Sequence, residues 1–328
     1  MDARSALKEK GALVEPVIRK YLDSENATLK KMLAHTAASG GKRIRPALVL
    51  TACEAVGGDS EKILAAAASV ELLHTFTLVH DDIMDDDDMR RGKPTVHALW
   101  GIEMGIVVGD AVYAKAFESL VDVRNEGIDD SKVLDALETL NHANAEVHEG
   151  QMMDMFFEKQ KEVSEQDYLV MISKKTGALI EGSVKIGAIL GGGTDDQVRL
   201  LSNYGRDIGV AFQIKDDLLD LTGDEQKLGK PVGSDICQGK KSLIIVHALA
   251  HGSEKQKKSI FNALGKDCDE EKISEFIAVL NEVGSIKYAE NKLSELIVSA
   301  KKSLEVISDG EPKEILLGLA DYIIERTH

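Results

Sequence analysis

Residues 71–97 read ELLHTFTLVHDDIMDDDDMRRGKPTVH, and this stretch decides the fold class. A helix-period apolar run from about Glu61 ends in Asp81-Asp82-Ile83-Met84-Asp85, an Asp-Asp-x-x-Asp pattern. On a helix its first and last Asp leave the same face, about 6 Å apart along the axis. Like charges at that spacing weaken a helix, and Asp86, Asp87 and Asp88 add to the repulsion. Clustered carboxylates are tolerable around a hard, oxygen-seeking cation, and magnesium is the usual choice beside phosphate. The pattern returns at Asp216-Asp217-Leu218-Leu219-Asp220, again closing a long apolar-periodic stretch. Two such faces set opposite each other would form a cage for metal ions and an anionic group.

Outward from these motifs the periodicity predicts helices over 3–35, 46–56, 61 through the first motif, 107–125, 130–159, 165–190 and 195–222. More follow over 240–251, 254–264, 269–280, 284–307 and 312–326, with stops at glycines and in a 229–239 loop. No strand-period run of convincing length interrupts them. Only 4% of residues are aromatic, and the chain has just five prolines and no linker-like segment. That mix favours helix, and 328 residues at 43% hydrophobic supply a large core. The expectation is an all-α, single-domain antiparallel helical bundle spanning 1–328.

The formal net charge of −16 argues against a nucleic-acid partner. Cys53, Cys237 and Cys268 lie far apart, which excludes a disulfide framework and a zinc ribbon. The N-terminus lacks the apolar core of a signal peptide, and no uninterrupted apolar run has the length of a membrane span. A soluble, cytoplasmic protein is expected.

Against this acidic background GGKRIRP at 40–46 is a basic loop. Two glycines permit close backbone approach, and Lys42, Arg43 and Arg45 could clamp a diphosphate, since guanidinium groups bind phosphate oxygens bidentately. The alternative is a solvated basic loop.

Together GGKRIRP, residues 71–97, GQMMD at 150–154, KKTGAL at 174–179 and FQIKDDLLDLTGDEQKLGKPVGSD at 212–235 resemble the trans-type isoprenyl diphosphate synthases. The resemblance runs from about residue 38 to 245 and is closest to archaeal-type short-chain geranylgeranyl diphosphate synthases. It implies a helical bundle around a deep cavity, usually in a homodimer. The reaction it implies joins isopentenyl diphosphate to an allylic diphosphate (dimethylallyl, geranyl or farnesyl) and releases pyrophosphate. It assigns magnesium to Asp81, Asp85 and Asp216, with Asp82, Asp217 and Asp220 as direct or water-mediated partners. The allylic diphosphate would meet Arg90, Lys175, Lys230 and Lys240. Isopentenyl diphosphate would meet Lys42, Arg45, His74 and Arg91, with Gly41 and Arg43 in support. Thr176 and Gln213 would turn oxygen dipoles toward the allylic cation.

Charge explains the residue types. Six motif carboxylates and a diphosphate carry roughly −9, and roughly three magnesium ions plus the cationic side chains bring the site near neutrality. Gln213 lies one helical turn before Asp217 and can share its face. The departing pyrophosphate is the expected base, so no side chain is assigned that role.

Several residues have plainer readings. Asp86 and Asp87 precede Arg90 and Arg91 by four, the spacing of helix-surface ion pairs. His74 alone would read as a core histidine, and His80 as support for the motif. His247 and His251 lack the glutamate of a zinc protease, and Gly239-Lys240-Lys241-Ser242 lacks the upstream glycine of a phosphate loop. A terpene cyclase would need Ser/Thr at Asp220 and Glu at Asp224, and has no use for the basic loop. A silent subunit of a heteromeric synthase would typically lose one acidic motif, and a calcium-loop protein would alternate Asp/Asn with Gly.

Product length turns on the helix bearing Asp81. Phe76 lies five residues upstream, about 7.5 Å along the axis, with Leu73 and Val70 deeper. A ring there should block the growing tail, while Thr77 leaves some depth. In the resembling family, an aromatic here with no insertion in the motif goes with geranylgeranyl synthases. A twenty-carbon product is expected, with farnesyl diphosphate the alternative.

Overall fold

The computed structural model describes residues 3–38, 40–160, 162–223, 232–265 and 270–325. The chain forms α1 (Ala3–Tyr21), α2 (Ala27–Ala38), α3 (Ile44–Ala55) and α4 (Leu64–Met84). A two-residue hairpin follows, β1 (Met89–Arg90) and β2 (Lys93–Pro94), then α5 (Val96–Trp100), α6 (Ile102–Val121) and α7 (Asp130–Lys159). Next come α8 (Glu165–Ile172), α9 (Ala178–Leu190) and α10 (Asp195–Thr222). The short α11 (Ser234–Cys237) leads to α12 (Leu243–His251), α13 (Glu254–Ala263), α14 (Glu270–Val283), α15 (Ser285–Ser303) and α16 (Glu311–Glu325). The fold is all-α, as expected.

The chain divides into two compact units: residues 1–144, 179–205 and 303–319 form one, and 145–178, 206–302 and 320–328 the other. In the first, α4 packs on α1, α3 and α6. Its alanine-rich start is fully buried at Ala66, Ala67 and Ala68, followed by Val70, Leu72 and Leu73. Small side chains let neighbouring helices approach, and glycines of α6 do the same: a Cβ at Gly105 would lie 2.7 Å from Ile83 Cδ1. The segment Ser60–Met84 is long and apolar enough to cross a bilayer, yet its most apolar window is 61% buried within the protein. Burial against α1, α3 and α6 makes it a core helix. In the second unit α8 packs on α12, and α12, α13 and α14 pack on one another.

Three local departures from the sequence reading concern the site. The predicted 3–35 helix is two, because Asn26 Oδ1 accepts from the backbone N–H of Thr28 and Leu29 and starts α2 afresh. The predicted 165–190 helix is broken by a π-helical turn at Ser173–Gly177. The acidic run does not continue as helix: α4 ends at Met84, and Asp86 takes a left-handed φ of 56°. Arg91 and Gly92, with φ of 51° and 74°, then make the two-residue turn of the hairpin.

Candidate active site

In the first unit the hairpin turns the Arg90-Arg91 pair back toward α4. Arg90 Nε donates to Asp82, whose carboxylate is buried. Asp86 and Asp87 therefore do not form the helix-surface pairs their spacing suggests. Arg91 Nη1 donates to the Gly40 carbonyl, and a Cβ at Gly41 would lie 2.8 Å from that same nitrogen. Glycine at 41 is what lets the guanidinium cross the loop.

A small cavity of about 40 Å3 is lined here by Gly40, Arg43, His74, Asp82, Arg90 and Arg91, among others. Burial first, then the positive fields of Arg45, Arg91, Arg90 and Arg43, hold His74 well below the usual histidine range. His74 is thus held neutral among guanidinium groups. Like Arg90, Arg43 is paired with carboxylates: it donates to Glu71 Oε1 at 2.7 Å and to Glu15 Oε2 at 2.8 Å. Its charge is answered by protein carboxylates, and it braces the loop against α1 and α4. Lys42 is exposed on that loop.

Phe76 is buried on α4, its ring centroid 4.7 Å from His80 and 5.1 Å from Tyr113 on α6. Leu73 is buried below it, and Thr77 Oγ1 donates to the His74 carbonyl at 2.9 Å.

In the second unit a cavity of about 290 Å3 is lined by Asp154, Lys175, Gln213, Asp216, Asp235 and Lys240, among others. The π-helical turn carries Lys175 and Thr176. It lies directly against α7, where a Cβ at Gly150 would sit 2.6 Å from Lys175 Cα. Lys175 Nζ donates to Asp154 Oδ2 at 2.5 Å, and Thr176 Oγ1 to Gln213 Oε1 at 2.7 Å. Gln213 Nε2 donates to Asp217 Oδ1 at 3.0 Å, bearing out the shared face, while the Tyr168 hydroxyl donates to Asp217 Oδ2. Burial pushes Asp217 up to about 7, against the hydrogen bond from Tyr168 that pulls it down. Asp220 is buried and holds the first turn of α11. Its Oδ1 accepts from Ser234 Oγ at 2.8 Å and its Oδ2 from the Asp235 backbone N–H at 3.2 Å. Asp216 is half-buried and lines the cavity. Lys240 lies 3.8 Å from Asp235, and Lys230 falls outside the described residues.

Sequence reasoning missed Asp154, Tyr168, Asp235 and Glu71 as members of these clusters. Asp154 and Asp235 stand in the quoted GQMMD and GKPVGSD segments, so their chemistry was visible. Glu71 opens the quoted 71–97 stretch, while Tyr168 sits in an ordinary helical run and carried no signal.

The acids suit magnesium. Among the described residues no three His, Cys, Asp or Glu side chains converge enough to hold an ion alone. Magnesium is ordinarily held by one or two carboxylates together with substrate phosphates, so spaced acids lining a cavity with Lys175 and Lys240 fit that mode.

Fold and site define a class: an all-α protein with an arginine-lined pocket and two Asp-Asp-x-x-Asp motifs. The chain matches the polyprenyl synthetase family over residues 26–280, and it belongs to that family. It is 43% identical to the short chain isoprenyl diphosphate synthase of Methanothermobacter thermautotrophicus, with all of both chains covered. It is 42% identical to the geranylgeranyl diphosphate synthase of Methanosarcina mazei, over 98% of this chain and 97% of that one. The crystal structure of geranylgeranyl pyrophosphate synthetase from Pyrococcus horikoshii superposes with a TM-score of 0.94 at 42% identity, covering 99% of this chain and 98% of that one.

Proposed function

We propose that the protein joins isopentenyl diphosphate head-to-tail to an allylic diphosphate and releases pyrophosphate, with geranylgeranyl diphosphate as its principal product. The arginine cluster around neutral His74 carries this reading. A cyclase handles one diphosphate and needs no anion pocket apart from its metal motifs; a synthase must hold two.

Lys42, Arg45, His74 and Arg91 take isopentenyl diphosphate. Neutral His74 can donate one hydrogen bond to a phosphate oxygen without adding charge. Gly41 opens the path for Arg91, and Arg43 braces the loop. Arg90, Lys175 and Lys240, with Lys230, meet the allylic diphosphate. Asp81, Asp85 and Asp216 hold magnesium, Asp82 is kept in register by Arg90, and Asp217 and Asp220 shape the second motif. Magnesium held there, about three ions, would supply the positive charge that offsets the leaving diphosphate as the allylic carbon–oxygen bond ionises. Gln213 and Thr176 turn oxygen lone pairs toward the positive charge that develops. The departing pyrophosphate takes the proton lost after the new carbon–carbon bond forms.

The similarity of the whole chain to single solved chains supports its working as one catalytic domain. Ile102, Met104, Ile106 and Val107 are exposed near the start of α6, and large apolar side chains left in solvent there support a homodimer. Burial of Cys53, whose thiol is pushed up to about 12, suits a protein of the reducing cytoplasm.

The test incubates the purified protein with labelled isopentenyl diphosphate and farnesyl diphosphate, with and without magnesium, and separates the dephosphorylated alcohols by length. A magnesium-dependent geranylgeraniol peak is expected. No elongation from any allylic primer would overturn the reading.

A further inference from the structure

The second unit contains a hydrogen-bonded chain whose far end no step of the reaction uses. Tyr168 is 2% exposed at the start of α8, a helix set by the Ser164 capping box. Its single O–H is spent on Asp217 Oδ2. Asp217 Oδ1 is taken by Gln213 Nε2, and Gln213 Oε1 takes the hydroxyl proton of Thr176. Both Asp217 oxygens thus act as acceptors, deep in protein, from named donors.

The direction of the donors is the informative part. An amide has one donating and one accepting end. With its NH2 held by Asp217, Gln213 must present its carbonyl to Thr176. Thr176 then gives its only proton to that carbonyl, and its hydroxyl oxygen can act on anything else only as an acceptor. Every donor in the row points toward Asp217, so the electron-rich ends of Gln213 and Thr176 are left for the cavity that Gln213 lines. A flipped Gln213 would set its carbonyl against a carboxylate and its NH2 against Thr176, placing positive dipole ends where a cation must form.

We propose that Tyr168 is a positioning residue that fixes the polarity of the Tyr168–Asp217–Gln213–Thr176 row, so that Thr176 and Gln213 face the allylic cation with lone pairs. The proposal rests on reading this cavity as the allylic site. Tyr168 lies behind Asp217 and acts through it. Without the phenol hydroxyl, Asp217 Oδ2 loses its donor in a buried place, and the carboxylate no longer has one fixed orientation in which to hold Gln213.

The test is Tyr168→Phe in the full chain, after the wild type has been shown to condense, so that failure of the activity and failure of the inference stay distinct. The expected result is about a tenfold fall in single-turnover condensation rate, with KM for isopentenyl diphosphate and half-saturating magnesium within about twofold of wild type. The variant should also be more sensitive to a fluorinated allylic diphosphate, because a less stabilised cation responds more to an electron-withdrawing group. A double-mutant cycle with Thr176→Val reads the row directly, since the two side chains are linked through Asp217 and Gln213. If the row acts as a unit, each single variant loses about tenfold and the double loses scarcely more, whereas independent roles would multiply to about a hundredfold. An unchanged rate in Tyr168→Phe, multiplicative losses, or equal changes in both KM values and the magnesium requirement would overturn the proposal. Should Tyr168→Phe not fold, Gln213→Leu breaks the same row at its centre. Combined with Thr176→Val it should lose scarcely more rate than either single variant, with half-saturating magnesium within about twofold of wild type; multiplicative losses would refute the assignment.

Discussion

Replacing Phe76 by alanine probes the link between α4 and product length. The ring is buried between His80 and Tyr113, at centroid distances of 4.7 and 5.1 Å. Helix rise places it about 7.5 Å above Asp81, with Leu73 about 4.5 Å deeper. If the twenty-carbon tail ends against this ring, a longer tail must displace it, and overpacking a closed core costs about 1–3 kcal/mol. Removing the ring lifts that penalty, so the ratio of twenty-five- to twenty-carbon product should rise roughly 5- to 140-fold, at about 1.4 kcal/mol per decade. The same truncation leaves a cavity costing about 3–5 kcal/mol. For a chain of this length, about 2.1 cal/mol/K per residue of unfolding entropy converts that cost to a Tm drop of roughly 4–7 °C. The assay separates dephosphorylated alcohols from farnesyl diphosphate and labelled isopentenyl diphosphate, with calorimetry on the same preparation. A lowered Tm with an unchanged product distribution would mean that Phe76 only packs the core, and would remove it as the floor of the tail site.

Three further outcomes follow from particular contacts. Gly150→Ala drives a Cβ into the Lys175 main chain, 2.6 Å from its Cα, and should push the π-helical turn off α7 at a cost of about 1–3 kcal/mol. KM for the allylic substrate should rise several-fold while KM for isopentenyl diphosphate holds, and equal shifts in both would refute the placement. Asp216→Ala should lower kcat by roughly three decades, as expected for losing several kcal/mol of metal-borne charge stabilisation, and chelation of magnesium should silence the wild type; a variant that keeps its rate would remove Asp216 from the metal set. His74, held below its unfolded value of about 6.5 by burial and by Arg45, Arg91, Arg90 and Arg43, stays neutral in the fold while the unfolded chain takes up a proton. The stability it contributes is present above that value and lost as pH falls. Tm of the ligand-free protein should therefore drop between about pH 7 and about pH 5, and His74→Gln should flatten the slope; an unaltered slope would show another group to be responsible.

Much of the fold was legible because helices are written in local periodicity. The α4, α6, α7 and α10 stretches announce themselves by apolar spacing, and glycines or caps end them. The departures have tertiary causes or causes too local for periodicity to register. The π-helical turn at Ser173–Gly177 occurs where α7 offers Gly150 as the surface to lie on, and nothing in SKKTG itself demands a wide turn. The acidic run leaves the helix at Asp86 because the Arg91-Gly92 turn draws the chain back, pairing Arg90 with Asp82 where the four-residue spacing had pointed to Asp86. The split between α1 and α2 was in principle readable, from Asn26 as a capping residue.

At the site the division is sharper. Residue chemistry and spacing alone were enough for an all-α diphosphate enzyme with two acidic motifs, a basic loop and a ring at Phe76, because carboxylates, guanidiniums and helix period act at short range along the chain. Which member of each cluster is spent on the protein could not be read that way. Only folding commits Arg43 to Glu15 and Glu71, Asp220 to Ser234 and Asp217 to Tyr168. Those partners lie 14 to 49 residues away in sequence, and hydrogen bonds across such separations depend on burial and three-dimensional register, to which local pattern is blind.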